Sequence, residues 1–417
     1  MAQLSDDCFA FGGELMPVNA ALDLLRRRVG PVAAVETVPL AAALGRVLAE
    51  DVTAPFDVPP HDNSAVDGYA VFFDDLTAES ETVLPVTGRV AAGHLLGRPG
   101  RRGEAVRIFT GAPMPEGFDT VLMQEDCRVQ GDSVAIPPGI KRGANRRKAG
   151  EDVTRGSVVL ASGRRLRPED IGLAASLGRE ELSVRRPLRA AVFSTGDEVR
   201  EPGAELPQGC IYDANRFALL AALRQLGCDV TDLGILPDDL SAIRDALGAA
   251  AAAHDVLVTS GGMSTGEEDH VKAAVEDLGS LHFWRLAIKP GRPVALGQVR
   301  GAAFVGLPGN PVAVMVTFLR VARPILLRLM GADESEPRLF PVRAGFTYKK
   351  KPGRREYVRA TLVRGEDGAL TAVKHPRDGA GILSSLVESD GLVELPEDLS
   401  RLEPGVTVEF LPFSEVR

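Results

Sequence analysis

Arg189-Ala190-Ala191-Val192-Phe193-Ser194, closed by Thr195-Gly196-Asp197-Glu198, and Val256-Leu257-Val258-Thr259-Ser260, closed by Gly261-Gly262, are the stretches that decide the fold. Each is a short apolar run without polar alternation that ends abruptly in glycine. Such runs read as strands buried on both faces. Between them, residues 212–226 have helical character stopped by Gly227, residues 228–236 form another strand-like run, and residues 240–253 are an alanine-rich helix. Beyond them, residues 281–288 and 302–307 read as further strands. Residues 311–329 read as a final helix with Pro311 in its first turn. Strands alternating with helices predict an α/β unit with a parallel, doubly wound sheet. In such sheets ligands bind beyond the carboxyl ends of the strands.

Outward from this unit the pattern changes. Val18, Ala21, Leu22, Leu25 and Val29 recur at helical spacing and predict a helix over residues 17–29. Residues 55–138 alternate short β-branched runs with Gly and Pro and read as a β-rich domain. Residues 141–186 are basic and mixed, a connecting layer. Residues 331–337 are a linker, and residues 338–417 alternate apolar and polar positions between Gly-containing turns, the pattern of a second β domain.

The chain has 417 residues, 45% hydrophobic and 25% charged, enough for two or three globular domains. A net charge of −9 argues against a general nucleic-acid binder. The first residues lack a basic start and a long apolar core, and no apolar run nears the ~20 residues of a membrane span, so a cytoplasmic protein without membrane attachment is expected. Cys8, Cys127, Cys210 and Cys228 lie far apart and read as buried small apolar residues. No His pair has zinc-ligand spacing, so any metal is expected to be a hard cation on carboxylates.

The chemistry falls where the sheet predicts it. Three strand ends carry acidic, Gly-rich loops: Ser194 to Glu198, Pro237-Asp238-Asp239, and Ser260-Gly261-Gly262-Met263-Ser264-Thr265-Gly266-Glu267-Glu268-Asp269. Loop N–H groups can cradle an anion, and adjacent carboxylates can hold Mg²⁺ against phosphate oxygens. Asp238 and Asp269 also suit simple helix caps. A fourth strand end carries Arg285, Lys289 and Arg292, three cations within eight residues, which suits an oxyanion or, alternatively, a solvated basic turn. Lys289 lies in a Pro-Gly-bounded turn where packing seldom needs a Lys, so anion binding rather than folding is expected of it. Residues 306–311 link a buried strand to the last helix, with Asn310 placed either to cap it or to touch ligand. In the β-rich region, residues 61–71 pack Asp62, Asn63, Ser64 and Asp67 before a strand, where Asx turns are the plain alternative. A loop carrying Thr110 lies farther on.

Eight motifs in order carry a resemblance: DNSAVDGYAV at residues 62–71, RIFTGAPMP at 107–115, GEDV at 150–153, STGDEV at 194–199, IYDANR at 211–216, SGGMSTGEEDH at 260–270, LAIKPGRP at 286–293 and GLPGNPV at 306–312. The chain resembles the molybdopterin molybdenumtransferase family, which is similar to the gephyrin E domain. The resemblance implies an elongated homodimer with a shared active site. Its division would be residues 1–29 packing on the α/β domain, a discontinuous linker domain of 30–54 and 140–186, a β domain of 55–139, a molybdopterin-binding α/β domain of 187–332, and a C-terminal β-barrel-like domain of 333–417. It implies insertion of molybdate into adenylylated molybdopterin with release of AMP, using Mg²⁺, alongside other molybdenum cofactor biosynthesis proteins.

Carried over by residue, the implied catalytic set is Asp62, Thr110, Asp152, Glu198, Asp238, Asp269 and Lys289, with Glu198, Asp238 and Asp269 toward the metal. The implied substrate-binding set is Ser194, Thr195, Gly196, Ser260, Gly261, Gly262, Ser264, Gly266, Arg285, Arg292, Pro308, Gly309, Asn310, Pro311, Arg359 and Ser385. This chain departs from the family pattern at His61, Val66 and Arg292, and at Asp378-Gly379-Ala380-Gly381 where Gln-Gly-Ser-Gly is usual. A molybdopterin adenylyltransferase shares the α/β class but lacks the flanking β domains. A non-enzymatic scaffold would not need Asp62, Asp238, Asp269 and Lys289.

Overall fold

The computed structural model of the chain describes residues 15–261, 270–333 and 336–416. Its central layer is a six-stranded sheet in the order Asp229–Ile235, Arg189–Ser194, Val256–Ser260, Ala302–Leu307, Pro293–Val299, Gly279–Arg285. The first four strands run parallel, as the buried runs predict. The sheet is not parallel throughout. Pro293–Val299 runs antiparallel to both neighbours, a strand the sequence reading did not separate. Only Arg300 and Gly301 join it to Ala302–Leu307, with Arg300 at φ 53°, and a two-residue turn can return a chain only antiparallel.

Helices Ala214–Leu226 and Leu240–Ala253 cover opposite faces of this sheet and belong to separate apolar clusters. Helix Val18–Arg28 buries Val18, Ala21, Leu22 and Leu25 in the same cluster as Ala214–Leu226, so the N-terminal segment packs on the α/β unit. The last helix is not uniform. Pro311–Thr317 and Arg323–Leu329 flank a π-helical turn, Phe318–Ala322. Pro324 brings no N–H to the ladder, and a wide turn just before it absorbs the mismatch. The π turn places the buried Arg320 against the C-terminal domain. There its Nε donates to Tyr357 Oη at 3.1 Å and its Nη2 lies 3.2 Å from Glu394 Oε2.

Two separated stretches of chain make one further unit. Val35–Pro39 pairs with Glu181–Arg185, Val52–Thr53 pairs with Val158–Leu160, and Leu48, Val153, Leu160 and Leu182 share its core. Between them lies a six-stranded sheet in the order Thr120–Met123, Gly68–Val71, Ala105–Ile108, Thr82–Val90, Ser133–Ile136, Arg128–Gln130. At the other end, Arg355–Arg364, Leu370–Lys374, Phe340–Ala344, Thr407–Pro412 and Gly391–Leu395 close into a barrel through the pairing of the first strand with the last. A short strand, Ile288–Lys289, leaves the α/β unit and pairs in parallel with Arg355–Glu356 of the barrel. Among the described residues no helix is long and apolar enough to cross a membrane. Cys228 is buried, but Cys127 and Cys210 are partly exposed, so not all cysteines are core residues; Cys8 lies outside the described residues.

Two nearly buried carboxylates tie the outer units to pH. Glu104 accepts from Arg98 Nη1 at 2.6 Å, Thr87 Oγ1 at 2.6 Å and Arg101 N at 2.8 Å, and the Arg98 hydrogen bond leads in lowering its pKa to about 2. Burial would raise the pKa of Asp170, but Arg164 and Arg167 outweigh it and bring it to about 2. Both are depressed below the unfolded value of about 4, so their contribution is full above that value and is lost as pH falls toward 2. Urea midpoints of wild type and Glu104→Gln should therefore differ at pH 6, differ much less at pH 2.5, and converge only below a pH of about 2. An equal gap at both pH values would exclude this origin.

Candidate active site

The parallel pairing aligns the strand ends Ile235, Ser194, Ser260 and Leu307 along one edge. Arg285, paired with Pro293, ends its strand at the same edge. Every loop expected to carry chemistry in the α/β unit therefore starts from one side of the sheet. Gly196 sits at φ 125°, and a Cβ there would lie 2.5 Å from Glu198 Oε2. Only glycine lets the Glu198 carboxylate fold back over this turn. Asp238 is not the helix cap. Asp239 holds that place and accepts from Ala242 N at 2.8 Å, leaving Asp238 exposed beside it.

Two cavities open on this edge. The smaller, about 120 Å³, is lined by Ser194, Thr195, Glu198, Asp213, Asn215 and Ser260, among others. Asp213 caps helix Ala214–Leu226, and Asn215 Nδ2 donates to Gly309 O at 2.7 Å, tying this helix start to the loop before the last helix. Arg216 is buried and its Nε bonds Asp213 at 2.9 Å, while its other nitrogens bind Glu201 and Asp232. Burial works against the charged form, but these three carboxylates raise its pKa. This cluster fixes the loop after Ser194 to the neighbouring strand. The motif at residues 211–216 does not by itself assign Asp213 or Arg216 a part. Its available signal was an Asp at a helix cap followed three residues later by an Arg.

The larger cavity, about 660 Å³, lies between the α/β edge and the barrel. Lys289, Arg292 and Arg359 bring positive charge to its wall, with Pro308, Asn310, Tyr348, Glu356 and Asp378 beside them. Gly261 and Gly309 line both cavities and face each other across their junction. Asn310 occupies the N-cap position before Pro311 but makes no capping hydrogen bond, and it lines the larger cavity. Arg359 is buried. Its Nε donates to Ser385 Oγ at 3.0 Å and its Nη2 to Arg377 O at 2.8 Å, which brings Arg359 and Ser385 together. Burial lowers the Arg359 pKa against the pull of Asp378. The altered stretch at 378–381 docks on the last helix, where Ala380 O accepts from Val312 N at 2.9 Å.

Lys289 departs from expectation. It is not a cation given to ligand alone. Its Nζ donates to Glu356 Oε2 at 2.9 Å and lies 3.4 Å from Tyr348 Oη, and Glu356 is buried. Burial would lower the Lys289 pKa, but the Glu356 hydrogen bond and charge raise it overall. The residue therefore has a structural partner as well as a place on the cavity wall. Arg285 stands exposed on the same edge, and its carbonyl accepts from Met16 N at 2.9 Å.

Asp62, Thr110 and Asp152 gather elsewhere. Asp62 accepts from Ala149 N at 2.8 Å and Arg146 Nε at 2.7 Å. Burial would raise its pKa, but these donors lower it. Met114 N donates to Asp62 O at 2.9 Å, which ties the Thr110 loop to Asp62, and Asp67 accepts from both Thr110 N and Thr110 Oγ1 at 2.8 Å. Asp152 is exposed in the adjoining turn, its N–H on Val58 O at 3.0 Å. Neither cavity at the α/β edge is lined by these three residues. Gly262, Ser264, Gly266 and Asp269 lie outside the described residues. Among the described residues no three acidic, His or Cys side chains gather closely enough to hold a metal. Glu198 and Asp238, on neighbouring strand ends, are hard oxygen donors of the kind Mg²⁺ takes.

A doubly covered α/β sheet thus carries, at the carboxyl edge of its strands, a cavity lined by Glu198 and Asp213 that meets one walled by Lys289, Arg292 and Arg359 beside a β barrel. Family models match in chain order: the MoeA N-terminal region (domain I and II) over residues 16–178, a probable molybdopterin binding domain over 191–328, and the MoeA C-terminal region (domain IV) over 341–413. The chain belongs to the molybdopterin molybdenumtransferase (MoeA) family. It is 39% identical over 383 residues to the molybdopterin molybdenumtransferase of Haemophilus influenzae, covering 91% of this chain and 94% of that one. It is 37% identical over 384 residues to molybdopterin molybdenumtransferase 2 of Mycobacterium tuberculosis, covering 89% and 94%. The crystal structure of the molybdopterin biosynthesis moeA protein from Pyrococcus horikoshii OT3 superposes with a TM-score of 0.81 at 31% identity, covering 95% of this chain and 99% of that one.

Proposed function

We propose that the protein is a molybdopterin molybdenumtransferase that inserts molybdate into adenylylated molybdopterin and releases AMP, in the cytoplasm, alongside other proteins of molybdenum cofactor synthesis. One observation supports this most strongly: a cavity walled by Lys289, Arg292 and Arg359 joins a smaller acidic one through Gly261 and Gly309. In this reading the larger cavity takes the oxyanion, where guanidinium forks and an ammonium match tetrahedral oxygens. The loops of Ser194, Thr195, Gly196, Ser260, Gly261 and Pro308 to Pro311, with Gly262, Ser264 and Gly266, hold the substrate's phosphates. Mg²⁺ held by Glu198, Asp238 and Asp269 would neutralise and orient the phosphoanhydride. Asp62, Thr110 and Asp152 complete the site from the second chain of a homodimer, in line with their absence from both cavity walls of their own chain.

Purified protein should release AMP from adenylylated molybdopterin only when molybdate and Mg²⁺ are both supplied. Consumption of ATP with formation of the adenylylated compound would instead make it an adenylyltransferase. Comparing molybdate with tungstate in the same assay would define the oxyanion preference.

A further inference from the structure

In the proposed reading the larger cavity receives the oxyanion, yet its lining includes a buried carboxylate. Glu356 is 1% exposed, and the parallel pairing of Ile288–Lys289 with Arg355–Glu356 sets it beside Lys289. Its Oε2 accepts from Lys289 Nζ and from Tyr348 Oη, both at 2.9 Å. Its Oε1 lies 3.6 Å from Arg354 Nη2 and makes no hydrogen bond among the described residues. The Lys289 side chain is half exposed on a flexible four-carbon stem, so packing alone does not fix where its ammonium points.

We propose that Glu356, itself oriented by the Tyr348 hydroxyl, is a positioning residue that holds the Lys289 ammonium at the cavity wall for the oxyanion. A buried carboxylate beside an anion site weakens the positive field there, so charge alone gives no reason for it. Its geometry does. An ammonium has three donors, and with one fixed on Glu356 and a second, longer one on Tyr348, the third is left in a defined orientation. Tyr348 takes the same oxygen and stops the carboxylate from turning away. The charged groups around the pair include Arg292, Lys350, Arg354, Arg359 and Asp378, and Lys374 neutralises Asp378 at 2.7 Å. The raised Lys289 pKa agrees, since Glu356 and Tyr348 oppose the lowering effect of burial. The proposal rests on the molybdate-transfer reading for its kinetic part alone.

The test pairs kinetics with a readout that needs no turnover. In the full-length protein, Glu356→Gln keeps the side chain's size and an acceptor but removes the charge. The pH dependence of Lys289 labelling by an amine reagent, followed by mass spectrometry, should move its midpoint downward in Glu356→Gln and less far in Tyr348→Phe. The KM for molybdate should rise about tenfold in Glu356→Gln, the size of one charge-assisted hydrogen bond. The kcat at saturating molybdate should stay within about twofold, because the ammonium can still be drawn into place by bound oxyanion. Thermal melting of each variant shows that the fold persists. A labelling midpoint unchanged from wild type overturns the proposal whatever the enzyme's reaction is. An unchanged or lower KM for molybdate also overturns it, since Glu356 would then be a bystander or a counter-charge. A wild-type protein without molybdate-dependent turnover would sink the functional reading, and the labelling result would still decide the role of Glu356.

Discussion

Lys289→Ala is expected to lower molybdate-dependent AMP release by at least about 100-fold, the scale on which one lost electrostatic contact to a reacting anion registers. It is also expected to destabilise the protein by about 1–2 kcal/mol, because a buried Glu356 carboxylate loses its hydrogen-bonded cation. The loss should fall short of that for a fully buried ion pair, since the Lys289 side chain is half exposed and Arg354 stands 3.6 Å from the other carboxylate oxygen. The double variant Lys289→Ala/Glu356→Gln separates the two effects. It should recover most of the melting temperature and none of the turnover. Full turnover in Lys289→Ala, or a double variant no more stable than the single one, would remove Lys289 from the role given to it here.

The second large effect belongs to the assembly. Asp62→Ala and Asp269→Ala homodimers should each be nearly inactive, whereas a mixture after subunit exchange should recover about a quarter of wild-type activity. That figure follows from symmetry: random exchange makes half of the dimers mixed, and each mixed dimer rebuilds one of its two sites. The expectation draws on the placement of Asp62 with Thr110 and Asp152, away from both cavities of its own chain. Recovery of activity from Asp62→Ala alone, or none from the mixture once exchange is verified by mass, would place Asp62 outside a shared site.

Much of the architecture was readable because burial on both faces leaves a mark. The runs ending at Ser194, Ser260 and Leu307 are continuous and apolar, and each meets glycine or proline at the sheet edge. Helix Val18–Arg28 showed its stripe in the same way. Pro293–Val299 was harder to separate, because its run starts within the basic turn and its direction depends on a two-residue return that apolar content does not record. The π turn at Phe318–Ala322 left no signal in a stretch that is apolar all round. In the candidate site, the residues that would touch ligand sat in Gly-rich loops and stood out. Their supports did not. Glu356 lies in a strand whose sequence reads as ordinary alternation, and only the register against Ile288–Lys289 gives it meaning. Arg216 resembles any helix-start arginine until Glu201 and Asp232, 15 and 16 residues away on either side, fold against it. Buried charges are chosen by three-dimensional neighbours, and a one-dimensional pattern holds no record of them.

The strand Ile288–Lys289 carries one more consequence, for how the parts of this protein can be exchanged. The barrel's covalent border lies near residues 333–340, but its hydrogen-bonded border runs through Ala287, whose carbonyl accepts from Arg355 N, and Ile288–Lys289. A chimera that swaps only the C-terminal segment with that of a relative would graft a barrel onto a foreign edge and mismatch Lys289 with whatever replaces Glu356. A transplant that keeps its function must carry residues 286–292 along with the barrel, as two segments from different places in the chain. The modules seen by eye and the modules that can be inherited separately are therefore not the same.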